Sequence, residues 1–412
     1  MGDGLALLFV QPVEMGGGRN GAPCRNGISR YGVVGDFKRI GGGRHEPSYS
    51  NRDGRRLSLD CGSARWRAGG MRMARGLNGS ANGAGHWPPP GQEGVVAQTP
   101  GSDGSNLPPA VMAALPAVVG VKTTIPANRR SAQTLGTERE GHGILLDDEG
   151  LVVTIGYLIM EADTVTITDI DGRELPAHIV GYDYESGFGL VRTEVPVRHR
   201  PLRFGDSDSL ILRSEAYVAG QGGAKATLKV KIAGRREFAG YWEYLLDNAI
   251  FTVPAFPQWG GSALIGIDGD LLGVGSLLVP EALGPGAPAF PGNMYVPINR
   301  LKPIFQELVS TGRLSTPPRP WLGLYTLEHV GQLVVAGISD GGPADRAGLQ
   351  RGDILHALNG DVLDDLADFY RKLWSSGPAG TPVKLRMERD EDAFEVTVRT
   401  GDRATYQKFG SD

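Results

Sequence analysis

From Val111 to about residue 300, short apolar runs alternate with turns rich in glycine and acidic residues. Leu115–Val121 reads as a first strand. Gly143–Leu146 and Leu151–Thr154 are joined by the acidic turn Asp147-Asp148-Glu149-Gly150, which predicts a hairpin. Thr164–Thr168 alternates with period two, and Asp171-Gly172-Arg173 supplies the next turn. Ile179–Gly181, Phe188–Val191, Ala216–Gly220 and Leu228–Ile232 continue the series. Short strands at regular spacing with turn signals predict an all-β barrel or sandwich.

The periodicity then changes. Asn299–Val309 has helical spacing, with Leu301, Ile304, Phe305 and Leu308 on one face, and Gly312 is its stop. Ser315-Thr316-Pro317-Pro318-Arg319-Pro320 reads as a stiff linker. Residues 321–400 form a second compact unit, opened by Trp321-Leu322-Gly323-Leu324. It continues through a short helix and glycine stop at 343–352, and a strand and turn at 354–360. An amphipathic helix spans Asp364–Trp374, with Leu366, Phe369, Tyr370 and Leu373 inward, and two alternating strands follow, Val383–Met387 and Phe394–Val398.

Composition changes this picture mainly at the N-terminus. A chain of 412 residues has room for two or three cores. Residues 1–100 hold 22 glycines and 13 Lys+Arg against 7 Asp+Glu, without hydrophobic periodicity. Such a segment does not bury enough apolar surface to offset its ordering entropy. We therefore expect 1–110 to be disordered, or to reflect a start site placed too early, with translation beginning at Met71, Met73 or Met112. The rest carries 29 basic against 39 acidic residues, which argues against nucleic acid as a partner. Both cysteines, Cys24 and Cys61, lie in that first segment, so the core has neither a disulfide framework nor a cysteine metal site. No apolar run is long enough for a spanning helix. Leu5–Val10 is short for a secretion signal and has no basic residue before it, so no signal peptide is expected in the chain as given. The histidines are dispersed and Gly220–Gly223 has no following Lys-Ser/Thr, so neither a metal site nor a phosphate loop, and no cofactor, is expected.

The candidate chemistry lies in Gln258-Trp259-Gly260-Gly261-Ser262-Ala263-Leu264, followed by Asp268-Gly269-Asp270-Leu271-Leu272-Gly273. This stretch resembles the active-site segment of the HtrA/Deg family, whose pattern is Gly-Asn-Ser-Gly-Gly-Ala-Leu. Leu151–Thr154, Asp171–Glu174, Gly205–Asp208 and Tyr295–Asn299 extend the likeness over 115–310. Ala347-Gly348-Leu349…Gly352-Asp353-Ile354-Leu355…Leu358-Asn359-Gly360 resembles the bacterial kind of PDZ domain. The resemblance implies a mostly β protein. A trypsin-like double barrel (111–312) and a linker (313–320) would precede a PDZ domain (321–402) and a tail (403–412).

A serine triad needs a nucleophile, a base within hydrogen-bond reach and a carboxylate that orients the base. The resemblance places all three on residues without that chemistry: Gly260 for the serine, Tyr157 for the histidine and Gly187 for the aspartate. Gln258 stands where the oxyanion turn has glycine. Ser262 is the one alternative nucleophile, and Asp183 and Glu185 lie near the lost aspartate, but neither His142 nor His178 is placed near Tyr157. The implied protein is a pseudoprotease. Its Leu322, Gly323 and Leu324 backbone N–H groups would receive a peptide carboxylate, beside a groove walled by Leu366, Phe369 and Tyr370. Implied partners are peptides or unfolded protein C-termini and active HtrA-type homologues, in a trimer, with the periplasm or cell envelope as compartment and protein quality control as context. The competing readings are an active serine endopeptidase with a rearranged site and a structural subunit.

Overall fold

The computed structural model describes residues 106–407. The expectations for residues 1–105, including both cysteines and the starts at Met71 and Met73, fall outside the described residues, as does the end of the tail after Gln407.

The first run of strands closes into a barrel. Its members are β1 (Val118–Thr124), β2 (Glu138–Leu145), β3 (Leu151–Ile155), β4 (Thr164–Thr168), β5 (Glu174–Tyr182) and β6 (Phe188–Thr193), all antiparallel in the order β1-β2-β3-β6-β5-β4. Pairing of β1 with β4 completes the circle and leaves no open edge. The expected acidic hairpin joins β2 to β3, with Asp147 Oδ1 accepting from the Glu149 and Leu151 N–H groups. The first strand starts three residues later than its apolar run suggests. Leu115–Ala117 is a 3-10 turn with Pro116 near its start, continuing α1 (Pro109–Ala114), because Pro116 fixes helical φ and offers no N–H to a ladder. Helix α2 (Arg130–Leu135) fills the connection from β1 to β2.

A second barrel repeats the plan with β7 (Glu215–Ala219), β8 (Thr227–Gly240), β9 (Tyr244–Val253), β10 (Ala263–Ile265), β11 (Leu271–Val279) and β12 (Gly292–Pro297). Its order is β10-β11-β12-β9-β8-β7, closed by β10 against β7. Strand β8 runs to Gly240, well past the Leu228–Ile232 segment that the alternation marked, so β8 and β9 form a long hairpin with its tip at Tyr241–Glu243. The helix expected from Asn299 begins only at α3 (Phe305–Thr311). Residues Ile298–Arg300 make a 3-10 turn, and Pro303 interrupts the ladder between them. Leu301 and Leu308 are fully buried, and the Gly312 carbonyl accepts from the Tyr182 N–H, which seats α3 on β5.

The second unit is a sheet in the order β13-β14-β15-β17-β18, from β13 (Leu324–His329), β14 (Gln332–Ile338), β15 (Ile354–Leu358), β17 (Pro382–Arg389) and β18 (Asp392–Arg399), with the short β16 (Asp361–Val362) on β15. Two helices cover it, α4 (Pro343–Arg346) and α5 (Leu366–Ser375). The inward face of α5 is the expected one: Leu366, Phe369, Tyr370 and Leu373 are buried. Asp365 caps α5, accepting from the Asp368 N–H at 2.7 Å. Fully buried Asp353 takes two bonds from Arg389 and one from the Gln350 N–H, tying the start of β15 to β17. Residues expected as a tail form α6 (Arg403–Tyr406), whose Tyr406 ring packs 4.8 Å from that of Trp321.

Asp365→Ala removes the cap of α5 and is expected to cost about 1 kcal/mol. The measurement is the urea midpoint of the PDZ unfolding transition, and an unchanged midpoint would show the cap to be silent.

Candidate functional site

The segment that carries Gly260 leaves β9, turns tightly and enters β10. Its turn is held by Ser262 N–H to Trp259 O at 3.1 Å, Gly261 N–H to Gly275 O at 2.8 Å and Gly275 N–H to Ser262 O at 2.8 Å. Tyr157 reaches this turn from the 3-10 turn after β3. Its hydroxyl donates to the Ser276 carbonyl at 3.0 Å, and a Cβ built on Gly260 would lie 2.9 Å from that hydroxyl. The loop bearing Tyr157 is fixed from behind by Arg139, which donates to the carbonyls of Tyr157 and Met160 at 2.7 and 2.9 Å. Two of the three positions named from the sequence therefore meet, but as phenol against glycine. Desolvation holds the Tyr157 phenol well above its ordinary range, so it stays protonated at neutral pH.

Gly187 stands apart from that contact. It has a left-handed φ of 81°, and its nearest neighbour beyond its own loop is the Tyr244 ring, 3.4 Å from a built Cβ. A side chain there would be strained by the backbone alone. The two nearby acids are committed elsewhere: Asp183 is buried and caps its own turn through the Glu185 and Ser186 N–H groups, and Glu185 pairs with Arg319 at 2.6 Å. Ser262 is fully buried, and its hydroxyl donates to the Trp259 carbonyl at 2.9 Å. His178 is exposed on β5.

His142 is closer to the Gly260 turn than its place in the sequence indicates. Its N–H donates to the Gly260 carbonyl at 2.8 Å, its Nδ1 accepts from the Gln221 N–H at 3.1 Å, and the ring also bonds to the Gln258 backbone. Burial lowers its pKa from 6.5 to about 4, so the ring is neutral and its lone pair is already used. No sequence motif marks this histidine; it is brought in by the packing of β2 against the other barrel. Folding also gathers Asp169, Asp171 and His199, with one ligand atom each within 4.8 Å, a grouping hidden by the scattered histidines. Asp169 is there engaged by the Asp171 and Arg173 N–H groups and by the Arg173 side chain, and His199 by Asp171.

The PDZ loop gives the clearest geometry. The N–H groups of Leu322, Gly323 and Leu324 converge, as expected, but their acceptor is in the chain itself. Glu243, at the tip of the β8–β9 hairpin, puts Oε1 at 3.2, 2.7 and 2.9 Å from the three nitrogens, and Oε2 at 3.1 Å from the first. Glu243 is 5% exposed and has a left-handed φ of 55°. Tyr370 of α5 completes the contact, donating to the Gly240 carbonyl at 2.7 Å and accepting from the Glu243 N–H at 3.2 Å. Of the three groove residues named from the sequence, only Tyr370 has its polar atom in this contact; Leu366 lines the neighbouring cavity, and Phe369 is fully buried in the PDZ core. Glu243 had no motif to mark it. The one available hint was a charged residue within the aromatic run Tyr241-Trp242-Glu243-Tyr244, where a hairpin tip usually carries glycine or asparagine.

Two opposing pH effects follow. His142 is neutral when folded, so its contribution is present above pH 6.5 and is lost as pH falls through about 4. Burial raises the Glu243 carboxyl from 4.5 to about 7, against the pull of the three N–H groups and Arg403. Its docked form takes up a proton, so its contribution is full below pH 4.5 and fades as pH rises through about 7. A proton on Oε2 leaves Oε1 free to accept all three bonds. Stability measured from pH 4 to 8 is expected to gain a steeper positive slope between 4.5 and 7 in Glu243→Gln and to lose slope between 4 and 6.5 in His142→Gln. Unchanged slopes would refute both assignments.

Comparison with known proteins agrees with this architecture. Residues 141–274 match the trypsin-like peptidase domain, and residues 320–400 match the PDZ domain. A probable periplasmic serine protease, do/HhoA-like, of Haemophilus influenzae is 27% identical over 63% of this chain and 57% of its own length. The periplasmic pH-dependent serine endoprotease DegQ of Escherichia coli is 26% identical over 63% of this chain and 58% of its own length. The chain thus spans less than two thirds of the length of these relatives. Among solved structures, the HtrA-type protease AlgW with tripeptide is 19% identical, with a TM-score of 0.43, covering 71% of this chain and 95% of that one. The chain thus matches a trypsin-like peptidase domain followed by a PDZ domain, and it is similar to these periplasmic serine proteases.

Proposed function

We propose that this protein is a catalytically inactive HtrA/Deg-like homologue that binds peptides or protein C-termini through its PDZ domain. The observation that carries the loss of catalysis is the Tyr157 hydroxyl, 2.9 Å from where a side chain on Gly260 would begin. The space of a nucleophile is filled by a protonated phenol, and no acyl-enzyme forms on glycine. Tyr157 in the histidine position, Gly187 in the aspartate position and Gln258 in the oxyanion turn support the same reading. Ser262 does not replace the nucleophile, because its hydroxyl is buried and spent on Trp259.

The relatives are named as periplasmic serine proteases, which supports a site of action in the cell envelope; a role in protein quality control there is part of the proposal. In that setting a chain that grips but does not cut would recruit substrates to an active homologue, in mixed or trimeric assembly.

The test is cleavage of unfolded casein by the purified full chain, with fluorophosphonate labelling. No turnover and no label are expected. Gly260→Ser alone is expected to stay silent in both assays, because the new hydroxyl meets the Tyr157 phenol and has no base. Turnover that Ser262→Ala abolishes would overturn the proposal in favour of a rearranged serine endopeptidase.

A further inference from the structure

We infer that the tip of the β8–β9 hairpin is a built-in ligand of the PDZ groove. The Glu243 carboxylate takes the place of a peptide's terminal carboxylate, and a carboxylate-ending peptide binds by displacing it. This inference rests on the peptide-binding reading of the PDZ domain given above.

The match extends beyond one carboxylate. The Tyr241 carbonyl, two residues before Glu243, accepts from the Thr326 N–H at 2.8 Å, two residues after Leu324. A carboxylate on the loop and a main-chain carbonyl paired two residues along β13 are the two anchors that an added strand uses in such a groove. The hairpin offers both at the right spacing. Aromatic rings hold the tip in shape: Trp242 stacks on Tyr244 at 5.5 Å, and Tyr241 packs 6.0 Å from Tyr325 of β13. Charges hold its flanks, since Arg371 of α5 pairs with Glu237 on β8 and Asp247 on β9, and Arg403 of α6 donates to the Trp242 carbonyl at 3.2 Å.

A hairpin tip that served only the barrel would leave its glutamate in water. Burying this carboxylate costs free energy unless each lone pair finds a donor, and the left-handed backbone at Glu243 adds strain. The three N–H groups offset part of that cost. The rest of the groove is not filled: a cavity of about 340 Å³ lies beside the hairpin, lined by Glu237, Phe238, Trp242, Leu327, Asp365 and Leu366 among others. Ligands of this groove therefore present a free α-carboxylate two residues beyond a paired carbonyl, and bulky side chains toward that cavity. A groove free in about one molecule in a hundred binds about a hundredfold more weakly than an open one.

The experiment compares the wild-type full chain with Glu243→Ala and with the shape-conserving Glu243→Gln. One arm is hydrogen exchange at the 322–326 amides. The other is binding of a fluorescent peptide that copies residues 237–242 and ends in an alanine with a free carboxylate, beside its C-terminal amide. In Glu243→Ala, protection at 322–326 is expected to fall at least tenfold while β17 and β18 stay protected. Affinity for the free-acid peptide is expected to rise at least tenfold, with no rise for the amide and a smaller rise in Glu243→Gln. Equal protection and equal affinity in wild type and Glu243→Ala would overturn the inference. Lost protection without binding of the free acid would keep the hairpin contact but overturn both its displacement by peptide and the peptide-binding reading.

Discussion

Three backbone N–H groups that point at one place require an oxygen there, and most of what is distinctive in this molecule follows from which oxygen fills the role. The left-handed φ of 81° at Gly323 turns the N–H groups of Leu322, Gly323 and Leu324 to one side. An unpaired cluster of this kind would be costly beneath a packed surface. Glu243 satisfies it from the second barrel, and in doing so fixes the hairpin tip, buries Leu245 in the PDZ core and aligns Tyr370 with Gly240. One carboxylate thus joins the barrel to the PDZ unit.

The cleft follows a different logic, that of volume. Small residues at 260 and 187 leave room, and aromatic rings take it. Tyr157 fills the space above Gly260, and Tyr244 lies against Gly187, its hydroxyl donating to the Ser186 carbonyl at 2.7 Å. The replacements are mutually consistent, since a phenol at 157 and a side chain at 260 would compete for the same volume. Tyr244, the first residue of β9, follows directly on Glu243, so the ring beside Gly187 and the plug of the PDZ loop are neighbours in one hairpin. The seat of the three PDZ N–H groups and the packing at the cleft therefore share one hairpin.

Much of this was readable from the residues. Short apolar runs between turn signals located most strands of the first barrel, and helical spacing gave the buried face of α5. Boundaries slipped where proline acted: Pro116 delays β1, and Pro303 delays α3. The three positions proposed to have lost the triad were named by motif alignment alone, because the residue type at each position is visible in one-dimensional text. Their mutual contact was not, because Tyr157 and Gly260 are about a hundred residues apart and meet only through barrel closure.

What the sequence determined by itself was local: alternation, caps, turns and the chemical identity of each position, all set by neighbours a few residues apart. It named the Leu322–Leu324 N–H groups as a carboxylate seat. Only the tertiary structure decided what sits in it, because Glu243 reaches the loop from 79 residues away along a hairpin whose length no local pattern fixed. The same holds for His142 beside Gly260 and for Asp169, Asp171 and His199. Side-chain chemistry is written in the chain, whereas the partner of a buried charge is chosen by the packing of elements that burial brings together.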